Sequence, residues 1–457
     1  GRVKIGGEVA GELLLFPDDL SDGKAVEADW GNIVKAKLNF GVSASNAEAV
    51  LNFNLSPETI ISLGKASSEP FQTPMIIDEA YLRAFLGKVT LETGFRKLSW
   101  GRADIQGPLN VTNPLDYTDL TNVSDVMGRK IARPMVHASV NLGYTAKVEG
   151  VFIPSFQGHR YSIDSKERWF PTAISTDRAG DMKDGIASRI NLPAPYKQQI
   201  VAGLNAYPIS FANLIPTDVN GLGYAQGGLR FSTTVGPADV GAQYYSGNLF
   251  RPSMVIEGAD EFIYTANTDP TIFLTNPNYT KETINPKMRY NRYHQVGFDY
   301  AQVIFDFSVR AELAANITGD HKGDDGGVYN PSLAWSLGFD RDVCGFTFFL
   351  EADESIRLLN DKVGKNPATD TEAGTPLTAT SITTQISRAF FQEKLELKCA
   401  ILWNVETSDI YLMPSLSYTM GDLEAVFSGG IFAGKDGGEL SQYRDNGYIK
   451  TVLTYSF

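Results

Sequence analysis

The sequence predicts an all-β fold, a single antiparallel transmembrane β-barrel of about eighteen strands with both chain ends at the same end of the barrel; about sixteen is the alternative count. Three observations carry that prediction. Apolar and charged residues alternate through hairpin after hairpin, with no helical stretch between them. Successive side chains of a strand point to opposite faces, so each hairpin acquires one apolar and one charged face. Tight connections alternate with long polar ones. The chain also stops on an alternating strand, Tyr448 to Phe457, in which Phe457, Tyr455, Leu453, Thr451 and Ile449 share one face. Ends of soluble chains tend to fray into water, so an apolar terminal strand closing on a bare aromatic argues for a wall that meets lipid.

Each element follows from the same period of two. The first strand, Val3 to Leu14, sets Val3, Ile5, Val9 and Leu13 against Lys4, Glu8 and Glu12. After a polar loop, Val34 to Val42 alternate with Lys35, Lys37 and Asn39, turn at 43–46, and return through Ala47 to Leu55. A hairpin over 77–97 turns at Gly87-Lys88 and puts Glu79, Tyr81, Arg83, Glu92 and Arg96 on its polar face. The Pro-, Gly- and Asn-rich segment 99–132 reads as a loop. The hairpin 135–153 carries His137, Ser139, Lys147 and Glu149 on one side. Residues 154–222 form the longest stretch without clean alternation, and a loop of that length is functional or disordered. Within it, Gln199 to Tyr207 with Ile209 and Phe211 is too apolar for a solvated tail. It is expected to pack inside the barrel or to form an extra hairpin. A hairpin over 224–246 turns at Gly236-Pro237, and a loop covers 247–291. In the hairpin 292–313, Val303, Phe305, Phe307 and Val309 oppose Asp306, Ser308, Arg310 and Glu312. Leu333 to Phe339 and Phe346 to Leu350 make the next pair, with Glu351 and Asp353 on the polar side. Strands over 378–390 and 393–403 turn at Gln392, and a meander over 409–418, 422–432 and 446–457 completes the chain.

Composition bounds the function classes. A length of 457 residues would suit about three soluble domains, but one large barrel accounts for it equally. The mean hydropathy is −0.15. No apolar run reaches the ~18 residues of a membrane-spanning helix. Neither fact opposes a barrel, whose lipid-facing residues are only every second one. A net charge of −13 argues against nucleic acid as partner, because phosphate binding needs a basic surface. Cys344 falls at a turn and Cys399 in mid-strand, so no disulfide is expected between them. No phosphate-cradling loop, zinc spacing or nucleotide fingerprint stands out, and no cofactor is expected. No leader segment is evident, so the sequence is expected to be a mature, exported chain.

A soluble sandwich would also alternate, since each sheet buries one face. In lipid, however, every unpaired backbone group is costly, and only closure removes the edges of so many strands. A charge on the lipid face at the membrane midplane costs roughly 2–4 kcal/mol, so the charged face must be the inner one. The expected lumen residues are Lys35, Lys37, Arg83, Arg96, Lys147, Glu149, Arg230, Asp306, Arg310, Glu312, Glu351, Lys394, Glu396, Lys398 and Lys450. They serve either as ladders of paired charges bracing a hydrated wall or as a transverse field that aligns a polar solute. Loops 99–132 and 156–222 are expected to fold into the lumen or mouth.

The final strand resembles the closing strand of bacterial outer-membrane barrels. The likeness implies that the end at Phe457 is read by the barrel-insertion machinery. Two further stretches are similar to the DUF1302 family of Gram-negative outer-membrane barrels. One is Lys97-Leu-Ser-Trp-Gly101 with Asn113-Pro-Leu-Asp116. The other is Tyr224-Ala-Gln-Gly-Gly-Leu-Arg-Phe-Ser-Thr-Thr-Val-Gly236, continuing to Val240-Gly-Ala-Gln-Tyr-Tyr245. This resemblance implies long early loops that fold into the mouth or lumen. It carries no functional residues.

The expected function is an outer-membrane channel for passive diffusion of small hydrophilic solutes, with both chain ends periplasmic and outer-membrane lipid and the solute as partners. A transporter of hydrophobic compounds with a loop-filled lumen is the alternative, and a surface adhesin or structural barrel a second. His137-Ala-Ser139 is similar to the His-x-Ser pair of outer-membrane phospholipases. Here it points inward, and no carboxylate partner is identifiable, so no enzyme is expected. Asp320, Asp324 and Asp325, with His321, lack the full calcium-loop pattern and form only a candidate metal site.

Overall fold

A computed structural model describes residues 1–21, 34–66, 73–105, 107–219, 221–365 and 370–457. In chain order the strands are β1 (Arg2–Leu15), β2 (Val34–Ser43), β3 (Ala47–Leu55), β4 (Ile77–Leu86), β5 (Val89–Arg96), β6 (Arg133–Leu142), β7 (Ala146–Ile153), β8 (Gln226–Val235), β9 (Ala238–Asn248), β10 (Ser253–Glu257) and β11 (Asn285–Arg289). They continue as β12 (Arg292–Ile304), β13 (Phe307–Thr318), β14 (Ser332–Val343), β15 (Phe346–Arg357), β16 (Thr378–Phe390), β17 (Leu395–Asn404), β18 (Asp409–Met420), β19 (Leu423–Ala433) and β20 (Tyr448–Ser456). Eighteen of them form one antiparallel sheet in which each strand pairs with its sequence neighbour, β9 pairs with β12, and β20 pairs with β1. The sheet therefore closes on itself. Strands β10 and β11 make a separate hairpin outside it.

Closure depends on the terminal strand. Its register runs from Glu8 opposite Ser456 to Leu15 opposite Ile449. Phe457 and Gly7 then exchange both backbone hydrogen bonds, each at 3.0 Å. The Phe457 ring sits so close to Gly7 that a Cβ there would lie 3.0 Å from it.

Both ends of the chain and eight tight turns occupy one end of the barrel, and the longer connections, with the four-residue turn 405–408, occupy the other. One tight turn differs from the sequence expectation. Phe305 and Asp306 form the two-residue turn between β12 and β13, with φ of 49° and 65°. Val303 consequently pairs with Ser308, so both point to the lumen side rather than Val303 to the lipid side. Neither turn residue is glycine or asparagine, which is why the alternating pattern runs through the turn unmarked.

Exposure follows the alternation. Val3, Ile5, Leu82, Leu229, Phe298, Leu313 and Leu453 are exposed on the outer wall, whereas Glu312, Glu351, Asp299 and Gln295 are buried inside. The outward charges Arg341 and Arg388 stand near the tight-turn rim, with their guanidinium groups over the rings of Phe307 and Phe346 respectively. Cys344 lies at a turn and Cys399 in mid-strand, both as free thiols. No helix among the described residues is long and apolar enough to cross a membrane, which says nothing of strands.

The segment 199–211 does not form the extra hairpin. Helices Ala194–Ala206 and Phe211–Leu214 occupy it. Lys197, Gln198, Gln199, Ala202 and Leu204 all favour helix, and Ile200 and Leu204, one turn apart, are the buried pair. With helices Thr176–Ser188 and Ala259–Thr268 and the β10–β11 hairpin, this segment shares a core around Met182, Ile186, Leu204, Ile256 and Phe262. These elements are bound to loops from several sides of the barrel. Arg178 donates to the carbonyls of Ala373 and Asp370, Arg168 pairs with Asp19 at 2.6 Å, and Gln442 accepts from the Ala173 amide at 3.0 Å.

Candidate functional site: the lumen and the segment that crosses it

The segment between β5 and β6, residues 97–132, hydrogen bonds to the inner faces of strands on both sides of the barrel. Asn113 ties its roots together. The Asn113 side chain accepts from the Leu98 amide at 2.8 Å and donates to the carbonyls of Arg96 and Ile131 at 2.8 and 2.9 Å. Buried Lys130 donates to the Leu98 carbonyl, Ser99 Oγ and Asn110 Oδ1 at 2.9, 2.6 and 2.7 Å. Its three acceptors match the three hydrogens of an ammonium group.

On one side the anchor is Glu312 of β13. It accepts from the amides of Arg102, Ala103 at 2.7 Å and Leu109 at 3.1 Å. Such close backbone approach requires glycine: a Cβ on either Gly101 or Gly107 would come within 2.2 Å of the Glu312 carboxylate. Leu109 fills a hole left by Gly297 of β12, where a Cβ would meet it at 2.2 Å. Glu351 of β15 accepts from the amides of Asp104 and Ile105 at 2.7 and 3.0 Å. Arg310 bridges Asp104, at 2.5 Å, and Asp340. On the opposite side Tyr411 donates to the Leu120 carbonyl at 2.8 Å, and Lys450 Nζ donates to Thr121 Oγ1 and Asn122 Oδ1 at 2.9 and 3.1 Å.

Between the segment and the wall of β14 to β18 lies a cavity of about 250 Å³. Its wall side carries Asp353, Ser381, Thr383 and Gln385 together with Leu402 and Met413; its loop side carries Ile105, Pro108, Leu115 and Val126 together with Ser124 and Arg129. One Asp353 carboxylate oxygen is buried with no hydrogen-bond partner.

The sequence-predicted lumen residues fall into pairs. Lys35 pairs with Glu12 at 3.0 Å and Lys37 with Glu8 at 2.9 Å, and Lys450 approaches Glu12 at 3.4 Å. Arg83 bridges Glu48 and Glu92, both at 2.7 Å, and Arg96 bridges Glu79 and Glu92, both at 3.1 Å. Lys147 pairs with Glu149 at 2.8 Å, and Arg230 with Asp299 at 2.6 Å. Lys398 and Glu396 have no ion pair among the described residues; the cross-strand neighbours of Lys398 are Ser387 and Ser415. Two residues are corrected. Asp306 lies in the β12–β13 turn, exposed and 3.6 Å from Arg341, and so does not stand on the wall. Lys394 lies exposed in the turn 391–394, where Phe391, Gln392 and Glu393 all adopt positive φ; the expected strand start at 393 is two residues too early.

The other candidates resolve differently. His137 lies between Glu92, 2.8 Å from Nδ1, and Glu149, 3.3 Å from Nε2, so both ring nitrogens face carboxylates rather than Ser139. A nucleophile and base need one ring nitrogen to face the hydroxyl. Asp320 is occupied with its own loop, accepting from the amides of Lys322, Asp324 and Asp325 at 3.3, 3.1 and 3.1 Å. Asp325 accepts from the Gly327 amide at 3.0 Å, and Asp324 lies 3.4 Å from Lys362. The three carboxylates do not converge as a metal site, and no cluster of three potential ligands occurs among the described residues.

Sequence reasoning placed Glu312 and Glu351 inside the barrel but missed what they hold. It also missed Gln243 and Gln295, which donate to the carbonyls of Leu109 and Pro108 at 3.0 and 2.9 Å. The glycines at 101 and 107 within a polar loop were the available signal.

No family model and no curated protein matches the chain, so the resemblance to the DUF1302 family is carried no further. Among solved structures, OccAB4 of Acinetobacter baumannii aligns over 100% of this chain and 98% of its own, at 9% identity and a TM-score of 0.49. OccK3 of Pseudomonas aeruginosa aligns over 100% and 96%, at 8% identity and a TM-score of 0.47. The outer-membrane channel DcaP of Acinetobacter baumannii aligns over 100% and 97%, at 10% identity and a TM-score of 0.41. These identities and scores are too low to carry an argument about the role of this chain.

Proposed function

We propose that the chain is an outer-membrane channel through which small hydrophilic solutes diffuse passively. The observation that supports this most is the cavity beside segment 97–132, into which Asp353, Ser381, Thr383 and Gln385 project among apolar wall residues inside a closed, outwardly apolar barrel. An 18-stranded barrel leaves an aqueous interior unless something fills it, and this segment narrows the interior to a passage of small-molecule size. The paired lumen charges brace the wall, while Asp353 lines the cavity and remains to meet a solute. Tight turns at one end and long connections at the other suit a barrel whose chain ends are periplasmic. The apolar residues of the same cavity, Ile105, Leu115, Leu402 and Met413 among them, support a second reading, a passage for compounds with one hydrophobic face. Reconstitution into a planar bilayer tests the proposal. Steady ohmic current is expected, with glycerol and small sugars equilibrating across liposomes that contain the protein. A membrane-inserted protein that passes no current would overturn the channel and leave the second reading.

A further inference from the structure

The outer wall is not uniformly convex. Cys399 of β17, Pro414 of β18 and Gly429 of β19 stand side by side on its lipid side and form the floor of a trough of about 810 Å³. Leu397, Leu416 and Phe427, two residues nearer the tight turns or their equivalent in register, form one rim, and Ile431 stands on the other. Pro414 is an unusual tenant of a closed sheet. It has no amide hydrogen to donate, and the β18–β19 register is interrupted between the Leu412–Ile431 and Ser415–Ser428 pairs. A lost ladder bond is costly where no water can replace it, so the small floor is bought at a structural disadvantage.

The charges at the two ends of the trough differ. Near the long-loop end Arg444 is neutralised by Asp436 at 2.9 Å. Near the tight-turn end Arg388 points outward over Phe346 and Phe390, 4.5 and 5.0 Å from the ring centroids, with no carboxylate in ion-pair distance among the described residues. A free guanidinium beside an apolar trough complements an anionic group carrying a hydrocarbon chain.

We infer that the trough is a binding site for one glycerophospholipid, its acyl chain lying over Cys399, Pro414 and Gly429 and its phosphate on Arg388. The inference rests on the proposed membrane residence of the barrel. It is tested on full-length protein extracted from membranes in mild detergent, by native mass spectrometry alongside bilayer conductance. Wild type retains one phospholipid per barrel. Cys399→Trp, which fills the floor, and Arg388→Gln, which leaves the floor open, each lower the retained fraction by about tenfold or more, the scale of one lost charge-assisted contact. Both variants keep wild-type conductance, which shows that they are folded. Equal phospholipid retention in all three proteins overturns the inference. Retention of lipid A in place of phospholipid overturns it too, as does a wild-type dimer that Cys399→Trp dissociates. A protein soluble without detergent would instead remove the membrane reading beneath it.

Discussion

His159 joins the segment 97–132 to the long connection between β7 and β8. Its Nδ1 accepts the Leu115 amide hydrogen at 2.9 Å, and its ring lies among Tyr117, Tyr161 and Phe250. Beside it Arg160 pairs with Asp116 at 2.7 Å and the Tyr117 amide donates to the Arg160 carbonyl. Desolvation, helped by the charges of Arg129 and Arg251, pulls the imidazole pKa down to about 3. The ring is therefore neutral where it is docked and takes a proton more readily when it is released. Its contribution is complete above pH 6.5 and declines toward pH 3, by about 1.4 kcal/mol per pH unit while only the released form is protonated. Lowering the pH from 7 to 4 is thus expected to raise open-state current fluctuations in wild type and to do so much less in His159→Asn. Identical pH responses in the two proteins would contradict this role. Histidine 159 gave no sign of it in the sequence, because its partner Leu115 is far away in the chain and lies in a loop. Residues of the wall were easier to sort: parity alone put Arg83, Glu149, Arg310 and Glu351 on the charged faces of their strands. Their partners were not legible, because pairing depends on the register between strands, and parity within one strand says nothing of that.

At the scale of elements, the segment 97–132 is held by a few carboxylates that accept backbone amides. A hydrogen bond to a charged group contributes about 1.5–3 kcal/mol. Glu312→Ala removes three amide bonds at once and leaves the barrel hydrogen bonding intact. The segment is then expected to leave the wall and single-channel conductance to rise severalfold, with little loss of thermal stability in the barrel itself. Unchanged conductance would show that the segment does not limit the passage. The sequence marked this stretch as a loop because of its Pro, Gly and Asn content, but composition does not say where a loop docks. Docking is set by the fit of Gly101 and Gly107 to Glu312 and of Leu109 to Gly297, contacts between residues distant in sequence. The helix Ala194–Ala206 escaped for a different reason. Only Ile200 and Leu204 are buried there, too short an apolar stripe for the helical period to stand out.

For the molecule as a whole, repetition made the fold readable. Eighteen strands each carry the same period of two, so an error at one turn, as at Phe305 and Asp306, leaves the count and the faces of the others intact. Closure was readable in the terminal strand, whose apolar face ends at Phe457. The cavity beside segment 97–132 was not readable, since it is the space left over after a loop from one side meets strands from another. On the proposed function, solute passes between segment 97–132 and the wall of β14 to β18. Thr383 projects into that space. The most direct measurement is the current through Thr383→Cys, in a background with Cys344 and Cys399 replaced by Ser and Ala, before and after a water-soluble methanethiosulfonate reagent is added. A steady current is expected, which falls sharply on modification and recovers on reduction. A current indifferent to the reagent, with the thiol shown to be modified, would place the conducting path elsewhere and contradict it.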